Sequence, residues 1–149
     1  MLVCHSNRSK KVDVTVQWSG VLGATLVSIV VGVVWYLPKT FGATWYRRST
    51  PKSRKKQLPR LLMLLAISSF FIAYILAHTA FLANRFFGNG FLQDALTTSF
   101  WLWLGMQALR NIARDRLTGV VPRLSLIHAG HDAVSLLLSG LVIGIVGIY

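Results

Sequence analysis

Long apolar runs almost without charge constrain this chain more than anything else in it. A transmembrane helix needs roughly 20 mostly apolar residues, and four windows meet that length: about residues 18–37, 61–83, 91–109 and 124–148. The first holds no charge, the second has only Tyr74 and His78 as ionisable residues, and the third holds Asp94. The fourth holds His128, His131 and Asp132. Unpaired backbone groups are too costly in hydrocarbon for anything but helices or closed barrels, and no strand alternation is present. The sequence therefore predicts an all-α, integral membrane four-helix bundle. Residues 1–17 form a short N-terminal tail, and residues 18–149 form a single four-span domain with a basic loop over 38–60. No room is left for a soluble domain.

Composition agrees. The 149 residues are 54% hydrophobic and 13% charged, with a mean hydropathy of +0.56, whereas soluble domains carry about 25% charged residues. The net charge of +12, from 16 Lys and Arg against 4 Asp and no Glu, resembles a nucleic-acid footprint. Nucleic-acid binders do not combine a basic stripe with such runs, so no nucleic-acid partner is expected. Cys4 is the only cysteine, which excludes an internal disulfide.

The charge is an orientation signal. Lys39, Arg47, Arg48, Lys52, Arg54, Lys55, Lys56 and Arg60 separate spans one and two, and Arg110, Arg114, Arg116 and Arg123 lie between spans three and four, with only Asp115 against them. Arg85 stands alone between spans two and three. The positive-inside rule puts both basic loops in the cytoplasm and both termini outside, in a multi-pass protein of the plasma membrane. Arg8, Lys10 and Lys11 in the tail oppose that orientation weakly. Span one is too long for a signal-peptide core and lacks a small-residue cleavage site after it, so it reads as a retained helix. Lys52, Arg54, Lys55 and Lys56 are placed to attract anionic lipid headgroups, at about 1 kcal/mol each.

Helices in lipid associate through close packing, so small residues mark interfaces. Gly20, Ala24, Ser28 and Gly32 recur every four residues along span one, Ser69, Ala73 and Ala77 along span two, and Gly140 and Gly144 on span four, with Gly147 nearby. Packing within one chain is the simpler use of these stripes, and a homodimer seam is the other.

Aromatic residues sit at the span ends: Trp18 at one end of span one, Trp35 and Tyr36 at the other, then Trp45 and Tyr46. After Pro38, one helical turn would put Phe41 and Trp45 on the same lipid-facing side of an interfacial segment. The string Trp35-Tyr36-x-Pro38-x-x-Phe41-Gly42-x-x-Trp45 resembles the WYxPxxFGxxW signature of an uncharacterised family of small four-helix membrane proteins, a domain of unknown function. The block from Leu126 to Leu137 is similar to that family's closing LINAGYxLVSLL block. Leu37, His128 and His131 depart from the usual Ser, Asn and aromatic residue. The resemblance spans about residues 18–148. It implies a four-helix bundle and carries no mechanism.

Ionisable residues within spans are costly and mark candidate sites. At about 100° per residue, His128, His131, Asp132, Ser135 and Ser139 share one arc of span four, about 100° from the Gly140/Gly144/Gly147 strip. On span three Asp94, Thr97, Thr98, Trp101, Gly105 and Ala108 share another arc, and on span two Tyr74 and His78 lie four apart. Depth separates these groups into an inner cluster around His131 and Asp132 and an outer one of His78 and Asp94. His128, His131 and Asp132 have ligand-like spacing, but no further ligand from another inner span is evident, so neither a metal nor a cofactor is implied. Ser125, His128 and Asp132 lie on one helix, which cannot aim a base at a nucleophile and also orient it. No enzymatic activity is expected.

Two functional readings remain. The leading one is a small membrane protein acting through helix–helix association, as a homo-oligomer or as an accessory subunit of a membrane complex. The rival is a small transporter or channel with a proton- or ion-linked site at His128, His131 and Asp132. A polar stripe that stops about halfway along span four, at Ser139, favours the first.

Overall fold

The computed structural model describes residues 16–37 and 51–147, with the side chains of 51–58, Leu61 and Arg123 excepted. Pro38, Phe41, Gly42 and Trp45 of the signature lie outside the described residues, and so do the side chains of Lys52, Arg54, Lys55 and Lys56. Four helices form the described chain. They are α1 (Trp18–Trp35), α2 (Pro51–Phe87), α3 and α4 (Pro122–Val146). Helix α3 is composite: α-helical over Phe91–Leu102, π-helical over Trp103–Ala108, and α-helical again over Leu109–Leu117.

Three helices contain stretches long and apolar enough to cross a membrane: Trp18–Trp35, Leu62–Phe87 and Leu124–Val146. The protein is an all-α integral membrane protein. The third predicted span falls on α3, which runs on to Leu117, beyond the expected end near 109. Likewise α2 starts at Pro51, so the second half of the expected basic loop is helical.

Tight turns make neighbours antiparallel. At Gly88 (φ 68°) and Gly119 (φ 72°) the chain enters the left-handed region, which glycine adopts without a Cβ penalty. Gly88 N–H caps the Asn84 carbonyl at 2.9 Å, ending α2. Helix α1 lies against α4 and α2, and α3 against the same two. Leu22, Leu26, Val30 and Val33 are exposed on the opposite side of α1, the arrangement that lipid requires. The centre is small and dense: Val21, Ala24, Ala73, Leu76, Ala77, Leu136 and Ile143 are buried together.

The small-residue stripes are used within the chain. A Cβ at Gly20 would meet Val146 and Ile143 on α4, and one at Gly32 would meet Leu65 and His131. Ser28 bonds across to α4, and Ala24 is fully buried. The strip on α4 packs on α3: a Cβ on Gly140 would overlap Ser99 Oγ, one on Gly144 would press on Leu92, and one on Gly147 would overlap Phe91. Helix α4 thus has two working faces, as its sequence predicts, with the polar one turned to α1.

Candidate functional site

The polar face of α4 is joined to α1 by side-chain hydroxyls. Ser28 Oγ lies 2.9 Å from Ser135 Oγ and 3.0 Å from Ser139 Oγ, and Ser139 also donates to its own helix at the Ser135 carbonyl, 2.8 Å away. Such bonds hold helices together where no hydrophobic drive exists between them.

About a turn and a half along α4 from this hydroxyl group stands the ionisable pair. His131 Nδ1 is 3.1 Å from Asp132 Oδ1, and Asp132 Oδ2 accepts from Asn111 Nδ2 of α3 at 3.2 Å. The His131 side chain is 12% exposed and that of Asp132 26%. The far end of α1 closes over them. The Tyr36 ring centroid lies 5.2 Å from that of His131 and 6.3 Å from that of His128, with Trp35 edge-on to His131 at 5.9 Å. Gly32 lies beside the ring: a Cβ there would make an ordinary contact with His131 Nε2 at 3.6 Å and a tighter one with Leu65 at 3.2 Å. Trp103, in the π-helical turn, donates its indole N–H to the Ala129 carbonyl at 2.9 Å and fixes α3 against the same part of α4.

His131 Nε2 is buried and has no hydrogen-bond partner among the described residues. A bond donated from Nδ1 to the carboxylate makes Nε2 an acceptor in the neutral ring and a second donor in the cation. Leaving a buried polar atom unpaired costs about 1–3 kcal/mol.

The expected inner cluster therefore exists, with His131 and Asp132 at its centre and His128 at its edge against Tyr36. The outer cluster divides in two. Asp94 is buried, and its carboxylate accepts from Asn84 at 3.0 Å and from Asn89 at 3.1 Å, closing the turn between α2 and α3. His78 belongs elsewhere: its Nδ1 lies 3.2 Å from the Tyr74 carbonyl, and its ring packs on Tyr74, which stacks on Trp18. The expected arc on α3 does not hold either. Trp101 is 63% exposed and Gly105 is exposed, while Ala95 and Ser99 face the bundle. Asp94 is covered by the turn rather than by a helix face, which misplaces the whole arc when it is taken as the reference.

Sequence reasoning missed Asp115. Placed in a basic loop, it is instead buried in α3 and accepts from Ser125 Oγ of α4 at 2.8 Å. This bond occupies Ser125, which makes no bond to His128. The signal was a lone acid between Arg114 and Arg116, ten residues before a serine across a short turn. Asn84, Asn89 and Asn111 were missed as well, since uncharged amides near helix ends are unremarkable by type.

Residues 19–144 match the model of a protein family of unknown function, DUF1761. The chain belongs to this family. No curated protein and no solved structure matches it. The DUF1761 match takes in α1 to α4 almost entirely, and with them the hydroxyl group, the His131–Asp132 pair and the Asp115–Ser125 bond.

Proposed function

We propose that this DUF1761 member moves protons, or a proton-coupled ion, across the membrane, with His131 and Asp132 as the protonatable site. The observation that carries the reading is the His131 imidazole itself. It is partly buried within an apolar helix, hydrogen-bonded to a carboxylate through one nitrogen, and carries a second, buried nitrogen that no described residue satisfies. Imidazole changes charge near physiological pH, and ionisable groups held inside a bilayer commonly belong to ion pathways. Among the described residues, Tyr36, His128 and Asp132 are the titratable groups around the ring, with neutral Asn111 as the second holder of the carboxylate.

The association reading has less support than the sequence implied. Its glycine and serine stripes are occupied between helices of one chain, so a second copy or a membrane partner would have to use the lipid-facing apolar surface. The positive-inside rule puts the His131 end of the bundle at the cytoplasmic face of the plasma membrane and both termini outside. A C-terminal periplasm-active reporter should then be active and a cytoplasmic one silent, and the reverse result removes this orientation.

The functional test is proton flux in proteoliposomes under an imposed pH gradient, followed with an internal dye. Wild-type vesicles should collapse the gradient faster than protein-free ones. His131→Gln and Asp132→Asn should lose that excess, and Ser125→Ala should keep it. Flux equal to that of protein-free vesicles sinks the proposal.

A further inference from the structure

At the opposite end of the bundle from His131 the four helices leave a cavity of about 470 Å³. It opens where α1 begins, α2 ends, α3 begins and α4 ends. Phe81, Phe91, Ile143, Gly20 and Ala77 supply the apolar half of its lining, and polar atoms supply the other half. Val21, Ala24 and Leu76 of the adjoining core are fully buried.

Three polar side chains stand in the lining. Gln17 and Asn84 each contribute an amide, and among the described residues Arg85 is the one charged residue of the lining. The Arg85 guanidinium sits 5.4 Å over the Phe81 ring, and no carboxylate among the described residues lies within 4 Å of it. Asp94, nearby in the chain, has its oxygens held by Asn84 and Asn89. The Asn84 amide nitrogen is used in doing so, and the carbonyl of Asn89 takes its other N–H at 2.7 Å.

A pocket of this size falls in the range of small-molecule sites, which are mostly apolar with a few placed polar groups. One cation beside the apolar half of the lining suits a molecule that joins a single negative charge to an apolar body. Guanidinium also offers the paired donors that a carboxylate accepts. We infer that this cavity binds a small organic monoanion, with its carboxylate at Arg85 and its apolar part against Phe81, Phe91 and Ile143. Such a molecule can arrive from water as a free carboxylate or from the bilayer as a fatty acid. The site is remote from His131, and its occupancy does not depend on proton movement.

Binding is measured on the full chain in phosphatidylcholine nanodiscs, with phenylacetate as the free carboxylate, palmitate as the bilayer-borne one and benzyl alcohol as the uncharged control. Saturable binding of either carboxylate, with benzyl alcohol at least about tenfold weaker, is expected, and which carboxylate binds identifies the source. Arg85→Gln should weaken binding about tenfold or more, Arg85→Lys should weaken it less, and Ala77→Leu should abolish it by filling the cavity. Equal binding of phenylacetate, palmitate and benzyl alcohol, or binding unchanged in Arg85→Gln and Ala77→Leu, overturns the inference. The selectivity for charge is read on the unmutated protein, so it stands even where a variant fails to fold.

Discussion

Gly140→Ala is the sharpest test of how this bundle is held together. The added Cβ would overlap Ser99 Oγ and come within 3.0 Å of both Ser99 Cβ and the Ala95 carbonyl oxygen. Ser99 cannot simply rotate away, because its hydroxyl donates to the Ala95 carbonyl at 2.6 Å and the residue is fully buried. Two terms then add: overpacking, about 1–3 kcal/mol, and loss of a buried hydrogen bond, about 0.5–1.5 kcal/mol. Offsetting them is the better helix propensity of alanine, up to about 1 kcal/mol. A net destabilisation of about 1–3 kcal/mol is expected from these terms. Gly130→Ala is the matched control, since a Cβ there meets only the Trp35 ring at 3.6 Å, an ordinary contact. Reversible unfolding in mixed micelles, followed by circular dichroism, measures both variants. Ser99→Ala combined with Gly140→Ala should recover part of the loss, because the Ala95 carbonyl and the Cβ at position 99 still crowd the new methyl. Equal stability of the Gly140→Ala and Gly130→Ala variants would refute the α3–α4 packing described here. A homodimer seam at Gly140 would instead show as a change in molecular mass in detergent.

Three further outcomes are expected. Asp132→Leu leaves both His131 Nδ1 and Asn111 Nδ2 without an acceptor and should destabilise by about 2–4 kcal/mol in the same assay, whereas Asp132→Asn, which keeps an acceptor oxygen, should unfold within about 1–2 kcal/mol of wild type. A double-mutant cycle between Asp115→Ala and Ser125→Ala should give a coupling of about 1–3 kcal/mol, as for a buried bond to a charged group; a coupling of zero removes their bond. Asp94→Ala frees two amides at once and should raise protease or hydrogen-exchange susceptibility of the α2–α3 turn selectively, with α4 unaffected, as hydrogen-exchange mass spectrometry would show.

Much of the architecture was legible because bilayer physics writes it in large letters. Hydropathy located the helices, and helical spacing marked a small-residue face on α1 holding Ser28 and a polar face on α4 holding Ser135 and Ser139, though not that the two meet. The failures share a cause. Asp115 was taken as a loop residue because charge density marked its neighbourhood as water-exposed, while its own carboxylate turns inward to Ser125. Asp94 was taken as part of a helix face, but its partners come from the preceding turn. His78 bonds to its own helix backbone and needs no second polar residue. Pairings set by tertiary geometry leave no periodic trace.

The π-helical turn at Trp103–Ala108 has a consequence for phase. On an unbroken α-helix at about 100° per residue, Ser99 and Asn111 would point about 120° apart. A π-helical turn takes up roughly one extra residue, which reduces that angle to about 20°. The wide turn therefore works as a clutch between two halves of α3, letting Ser99 meet the glycine face of α4 while Asn111 reaches Asp132 on the same helix. Removing one residue between Leu104 and Gln107 should therefore restore an ordinary α-helix and leave the angle near 20°, keeping Asn111 on Asp132, whereas straightening the turn at full length would carry Asn111 about 100° away and uncouple the two ends of the bundle.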